Sequence, residues 1–535
     1  MKPYIPILNE TLELRDVQDK WFFDETYQVW CLEDILYTLK ATTPKFQRMS
    51  IFVPKAYLNE DGTVNEAGTC GKFTAKSAPV VFENNSAGYM QMPHTWLGGP
   101  RDMAPQYLSR GMVYVTCGSR GRESRNQAGQ RCGKSPSTLV DLKTGIRFLR
   151  HNKDVLPGDF EKMISVGWSA GGAMSSLLSV TGNNDSFRPY LEENGAFMDE
   201  SDAVFAGQIY CPIVDLDHAD IAYEWQFQND PENESSPFRA DGRSGTAYNY
   251  LMEQLEKSAT DYLTRLEQGS LTDNWTAADY ISGNYTYKKE AGLDMGPGPE
   301  EKDDLGLHHA GAAVALPPLG DGPMDGPPEE LGLGDLVSRP PKGVPYHGLE
   351  MQMEDAQGDD KSSWLSWDGK QAKIRDLDSY LLSHRRRMKP CTSFDTLGMD
   401  SGENQEFGTP EQDYMHFNEI IPGAIEALRG EFPEEYEKYY PAFAKALGDK
   451  ELVRRRYLIN PMNYIGTDEE SDMARHYRIH LGAQDADTAF TISLALALKL
   501  RNAGKDVIYN LIWDKPHCEA DYPGEVCDWI EAICK

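Results

Sequence analysis

Residues 162–172 read KMISVGWSAGG, an apolar run ending in Gly167-Trp168-Ser169-Ala170-Gly171 with Gly172 behind it. Glycines two positions to either side of a serine suit a tight strand-to-helix turn. Without Cβ atoms there, the backbone can fold closely and lift the serine Oγ clear of it. Such a hydroxyl becomes a nucleophile only when a base removes its proton and an acid orients that base. With 47 glycines in the chain a chance match to the pentapeptide is expected, so the partners must carry the assignment.

In α/β hydrolases those partners follow in the order acid then base, each on a loop at the carboxyl end of a strand. Of eleven histidines, His517 (NLIWDKPHCEADY) stands between the last strand-like run, 506–512, and a closing helical stretch, 523–534. The acid belongs after the preceding strand, HYRIHLG (476–482), where AQDADT offers Asp485, with Asp487 as a competitor two residues on. Neutral His517 would take the Ser169 proton, Asp485 would fix its tautomer, and Ser169 would attack an ester carbonyl. The developing oxyanion needs two backbone N–H donors. Ala170 is expected to supply one, and the loop ENNSAGY, around Ala87 and Gly88, the other.

The elements that must hold these residues alternate. Strands are expected at 46–56, 78–83, 110–117, 162–166 and 203–213, with helices at 136–151 and directly after Ser169. Within 136–151, Leu139, Leu142, Ile146 and Leu149 fall at helical spacing. A second block alternates strand 476–482, helix 488–503 and strand 506–512. Strand and helix in alternation predict an α/β-hydrolase fold, a mainly parallel sheet with crossover helices. Between the blocks the pattern turns helical, so 1–222 and 456–535 read as two parts of one core, and 223–455 as a large, mostly helical lid. The 316 positions separating Ser169 from Asp485 exceed what a sheet needs, which puts specificity in that insertion. Inside it, residues 292–341 hold ten glycines and nine prolines, with ten acidic residues against two basic, and read as a flexible acidic loop.

A formal charge of -31 disfavours nucleic acid and anionic membranes as partners. No apolar run approaches the ~20 residues of a membrane span, and the N-terminus lacks a signal peptide's apolar segment, so a cytoplasmic location is expected. Nine scattered cysteines without a CxxC pair indicate neither a disulfide framework nor a zinc site, and no cofactor fingerprint is present. His218 and Asp220 lack a third ligand with suitable spacing, which favours a structural or lid-orienting role over a metal. Arg120, Arg122 and Arg131 are expected to tie loops together through carboxylates.

With these residues in place the chain resembles the bacterial tannases, α/β hydrolases with a large lid. The resemblance is carried by SRGRESRNQAGQR (119–131), LPGDFEKMISVGWSAGG (156–172), YCPIVDLDHADIAYEWQF (210–227), RIHLGAQDADTAF (478–490) and WDKPH (513–517). It implies a serine esterase acting on small-molecule galloyl or related phenolic esters, with no cofactor or metal. It also implies that Lys389, Glu403 and Asp487 hold the three phenolic hydroxyls, which gives Asp485 and Asp487 separate roles. Ile213 would pack on the galloyl ring, and Gly402 stands where the family pattern has a proline on the opposite face. Trp168, beside the nucleophile, is a further departure. Feruloyl esterases are the first alternative, and a binding protein on a catalytically dead hydrolase fold the second.

Overall fold

The computed structural model describes residues 12–95, 97, 103–229, 244–271, 275–289, 354–384, 387–389, 392–399, 401–411, 420–518 and 520–535. The expected acidic loop, 292–341, lies outside them.

Nine strands form one sheet: β1 (Phe22–Asp24), β2 (Val29–Leu36), β3 (Arg48–Pro54), β4 (Pro79–Asn84), β5 (Val113–Cys117), β6 (Asp159–Trp168), β7 (Ala206–Tyr210), β8 (His476–Gly482) and β9 (Asp506–Ile512). Their spatial order is β1-β2-β3-β5-β4-β6-β7-β8-β9. From β5 onward every neighbouring pair is parallel, whereas β1, β2 and β3 form an antiparallel flank that joins through β3 and β5. The α/β-hydrolase class is therefore as expected. Of that flank, β3 falls within the strand expected at 46–56, whereas β1 and β2 were not expected.

Helix α1 (Ser137–His151) and helix α2 (Ala170–Val180) follow β5 and β6. The apolar stripe of α1 packs as expected, but its polar residues are buried too. Lys143 and Arg147 converge on Asp202, each nitrogen 2.6 Å from a carboxylate oxygen, and Asp141 pairs with Arg120 at 2.7 Å. Charges this deep persist because each has an opposite charge and hydrogen bonds to replace water.

Helix α3 (Leu216–Phe227) runs across the boundary expected at 222/223 and is part of the packed core. Beyond it the insertion serves two ends. Its long helix, α4 (Thr246–Glu267), buries Leu251, Leu255, Tyr262 and Leu263 and packs beside edge strand β9, so it braces the sheet. Helix α5 (Leu377–His384), residues 387–389 and 392–399 and helix α6 (Gly402–Glu406) instead reach the carboxyl ends of the strands. Two short hairpins, Thr286–Lys289 with Glu354–Gln357 and Leu365–Trp367 with Ala372–Ile374, interrupt its helical character.

The loops after β8 and β9 meet at Gly482. A Cβ there would lie 2.1 Å from the Lys515 carbonyl oxygen and 2.2 Å from that of Pro516, so any side chain would drive the loops apart. The junction is stitched by Gln484 N–H to Lys515 O at 2.9 Å and Ala483 N–H to Ile512 O at 2.8 Å. Helix α7 (Phe490–Asn502) follows the first loop and α8 (Glu525–Ile533) the second. Gly482→Ala is expected to destabilise the fold by about 1–3 kcal/mol, measured as a lowered urea midpoint. An unchanged midpoint would contradict the close approach.

Candidate active site

Ser169 sits between β6 and α2 with φ 58° and ψ -122°, a conformation costly for a residue with a side chain. Its surroundings enforce the turn. A Cβ on Gly167 would lie 2.2 Å from the Gly171 carbonyl oxygen, and one on Gly172 would lie 2.3 Å from that of Tyr210. The buried Asn84 amide nitrogen, at the end of β4, lies 3.0 Å from Val166 O, 3.2 Å from Gly171 O and 2.9 Å from Ser175 Oγ. Asn84 closes the apolar run APVVFEN, a sign of this role that sequence reasoning missed.

The candidate acid and base come from the loops after the two strands beyond β7. Asp485 is fully buried and uses both oxygens: Oδ2 lies 2.8 Å from His517 Nδ1, and Oδ1 accepts the Asp487 N–H at 2.8 Å. The Asp487 carboxylate lies 3.8 Å from the same ring nitrogen. Burial of the imidazole opposes its charged form, but the Asp485 and Asp487 carboxylates outweigh this and raise the His517 pKa well above its usual value.

Between these groups and the elbow lies the YCPI turn. Tyr210 O accepts the Ser169 N–H at 3.1 Å, and the Ile213 N–H donates to Ser169 O at 3.3 Å. The Cys518 N–H donates to Cys211 Sγ at 3.1 Å, and thiol, Asp485 carboxylate and imidazole place donor atoms within 4.8 Å of one another. Three such donors could in principle hold a metal, yet Nδ1 and Oδ2 already engage each other. The turn thus binds the serine on one side and the histidine loop on the other.

The loop after β4 lies against the elbow, with Ser86 N 3.5 Å from where a Gly171 Cβ would stand. Among the described residues, the N–H groups of Ala170, Ala87 and Gly88 have no hydrogen-bond acceptor.

Of the insertion residues, Lys389 Nζ lies 3.4 Å from Glu403 Oε1 and 3.9 Å from the centroid of the Phe394 ring. Gly402 opens α6, capped by Ser401. The space beside Gly402 belongs to the Arg122 guanidinium, whose Nη1 would lie 3.4 Å from a Cβ there, while Gly88 O would lie 3.7 Å away. Ile213 is buried, and its carbonyl accepts the Tyr89 hydroxyl at 2.8 Å. Trp168 stacks on Tyr210, its cross-strand neighbour, with ring planes 3° apart and centroids at 5.1 Å. That contact accounts for the large ring beside the nucleophile.

Three comparisons bear on this arrangement. The family model described as BD-FAE matches residues 125–232, which include α1, the elbow and α3. No curated relative matches the sequence. Among solved structures, the native tannin acyl hydrolase from Lactobacillus plantarum is 26% identical, with 95% of this chain and 94% of that chain covered at a TM-score of 0.62. A tannin acyl hydrolase in complex with ethyl gallate is 25% identical, with the same coverages and a TM-score of 0.64. The Fusobacterium nucleatum tannase is 27% identical, with 95% of each chain covered at 0.62. The fold is an α/β hydrolase's, and its solved neighbours are bacterial tannases.

Not every Ser-His-Asp set in this tannase-like fold could act on a substrate. Ser50 Oγ lies 2.8 Å from His94 Nδ1, and His94 Nε2 lies 3.0 Å from Asp34 Oδ1. All three residues are buried, and Ser50 Oγ also accepts the Asp34 N–H at 3.2 Å. This network ties β2 and β3 to the segment after β4. The exposed His218 pairs with Asp215 at 2.9 Å, whereas Asp220 faces the insertion. Arg120 pairs with Asp141 as expected, whereas among the described residues Arg122 reaches Gln405 of α6; one contact of Arg131 is to the Arg122 carbonyl at 3.4 Å. At the His517–Asp485 pair, Asp487→Asn removes one of the charges that favour imidazolium. The His517 titration, followed by NMR, is expected to move to lower pH in that variant. An unmoved titration would show that Asp487 does not act on the ring.

Proposed function

We propose that this carboxylic ester hydrolase cleaves galloyl esters of tannins and simple alkyl gallates, releasing gallic acid. The supporting observation is the His517–Asp485 pair with Asp487 beside it, on strand ends next to the Ser169 elbow. The neighbours that match over most of their length add to it: one holds ethyl gallate and another 3,4-dihydroxybenzoate.

In this mechanism Asp485 keeps a proton on His517 Nδ1, so Nε2 takes the proton of Ser169 Oγ as that oxygen attacks the ester carbonyl carbon. The N–H of Ala170 and that of Ala87 or Gly88 receive the oxyanion. His517 returns the proton to the departing alcohol, leaving an acyl ester on Ser169. A water deprotonated by the same histidine then releases the acid and restores the serine.

Lys389, Glu403 and Asp487 read the phenolic hydroxyls, and the 223–455 insertion acts as the lid that brings two of them. Carboxylates accept phenolic O–H groups, and an ammonium donates to phenolic oxygen. Ile213 covers one face of the ring. On the other face Gly402 offers no side chain, and the Arg122 guanidinium occupies the space beside it. An ester without hydroxyls offers these groups no hydrogen bonds in return for displacing water from them, and a site built to bond substrate hydroxyls rejects such an ester by roughly 10⁴-fold.

Methyl gallate is therefore expected to exceed both methyl ferulate and methyl benzoate in kcat/KM. Faster turnover of the ferulate would move the assignment to hydroxycinnamoyl esters. Ser169→Ala is expected to cost ~10⁴-fold or more, and wild-type activity in that variant would exclude the serine mechanism. Lys389→Met or Glu403→Gln should each cost gallate turnover about 10–100-fold and benzoate turnover less. Equal losses on the two esters would remove the hydroxyl-reading role.

A further inference from the structure

Helix α3 presents Asp220, Tyr223 and Glu224 at i, i+3 and i+4, so all three lie on one face, and all three are buried. None of them has a part in the acyl-transfer steps. Each grips the segment that carries Lys389. One oxygen of Asp220 accepts the N–H groups of Ser393 and Phe394, both at 2.8 Å. Glu224 pairs through both oxygens with the Arg387 guanidinium, one contact being 2.7 Å. Arg387 Nε in turn donates to Lys389 O at 2.6 Å.

Tyr223 does more than the other two. Its hydroxyl accepts the Met388 N–H at 3.2 Å and the Lys389 N–H at 3.1 Å, and it donates its own proton to Ala486 O at 2.6 Å. Ala486 lies between Asp485 and Asp487. A phenolic oxygen has one proton and two lone pairs, and all are committed here. One atom therefore joins the backbone of the insertion to the backbone of the acid loop. The ring is fixed as well, against Phe227 with centroids 4.5 Å apart and beneath the Arg387 guanidinium at 5.2 Å.

We propose that Tyr223 is a specificity-determining positioning residue, whose hydroxyl sets Lys389 against Asp487 at the separation that the ring hydroxyls of the substrate require. The proposal rests on the galloyl assignment above. It follows from the route of the bonds: Lys389 reaches the Asp487 loop through one oxygen atom, and Arg387 and Glu224 keep that oxygen's partner segment in register. Misplacing a reading group by about 1 Å can cost 10²-fold, and loss of this bridge frees two such groups to drift. An unhydroxylated ester meets neither reader, so the drift leaves it nearly unaffected.

The test is kcat/KM for methyl gallate and methyl benzoate in the full-length wild type, Tyr223→Phe, Lys389→Met and the double variant. Tyr223→Phe is expected to lose about 10–100-fold on gallate and less than about 3-fold on benzoate. Combined with Lys389→Met, the gallate loss should fall well short of the product of the two single losses, because Tyr223 acts partly through Lys389. A wild type with no preference for gallate overturns the galloyl assignment, and the positioning role with it. A wild type that prefers gallate, with a Tyr223→Phe variant that keeps the preference, loses both esters equally or shows fully multiplicative losses, overturns the positioning role alone. If Tyr223→Phe does not fold, Arg387→Lys decides by the same ratio. That variant keeps the charge but loses the two-point pairing with Glu224 and the bond to Lys389 O, and an unchanged ratio would overturn the proposal.

Discussion

A carboxylate without exposed surface needs a matched partner for each oxygen, because nothing replaces the water it has lost. At Asp485 the two partners are the His517 ring and the Asp487 N–H, so one buried group ties the imidazole to the Asp487 backbone. The remaining architecture serves this arrangement. Parallel strands β8 and β9 deliver the two loops to the same edge, and the side chain missing at Gly482 lets those loops close on each other. The YCPI turn then carries the contact across to the serine.

The insertion is more than a cover. Helix α4 supports the far edge of the sheet, while Tyr380, Lys389 and Glu403 lie at the strand ends, so the insertion both braces the core and shapes the site. Within α5, the Tyr380 hydroxyl donates to Ala483 O, another bond from the insertion to the acid loop. The insertion is thus anchored to the loop that holds Asp485, and its register depends on the core.

Much of this was legible in the amino-acid sequence. The runs HYRIHLG and DVIYNLI coincide with β8 and β9 residue for residue, because both are short, apolar and bounded by turn residues. The order of Ser169, Asp485 and His517 followed from those strands. What escaped had no local signature. The charges of α1 are paired inside the protein with Asp202 and Arg120, partners that its helical spacing does not reveal. The stack of Trp168 on Tyr210 joins residues from two strands, and the expected boundary at 222/223 cuts through α3. The run ending in HADIAYEWQF was conspicuous in sequence, yet Asp220, Tyr223 and Glu224 bind residues more than 160 positions away, and composition cannot reveal a partner at that distance.

Lys389 shows what this packing does before any ester arrives. A lysine side chain free in solvent has ~2 kcal/mol of rotamer entropy to lose when it is fixed. Here the ammonium is held between the Glu403 carboxylate and the face of the Phe394 ring. Much of that freedom is surrendered when the chain folds, so a ligand that meets this nitrogen need not order it again. The cost of immobilising a long, flexible cation is thereby moved from recognition to folding, where the whole core shares it.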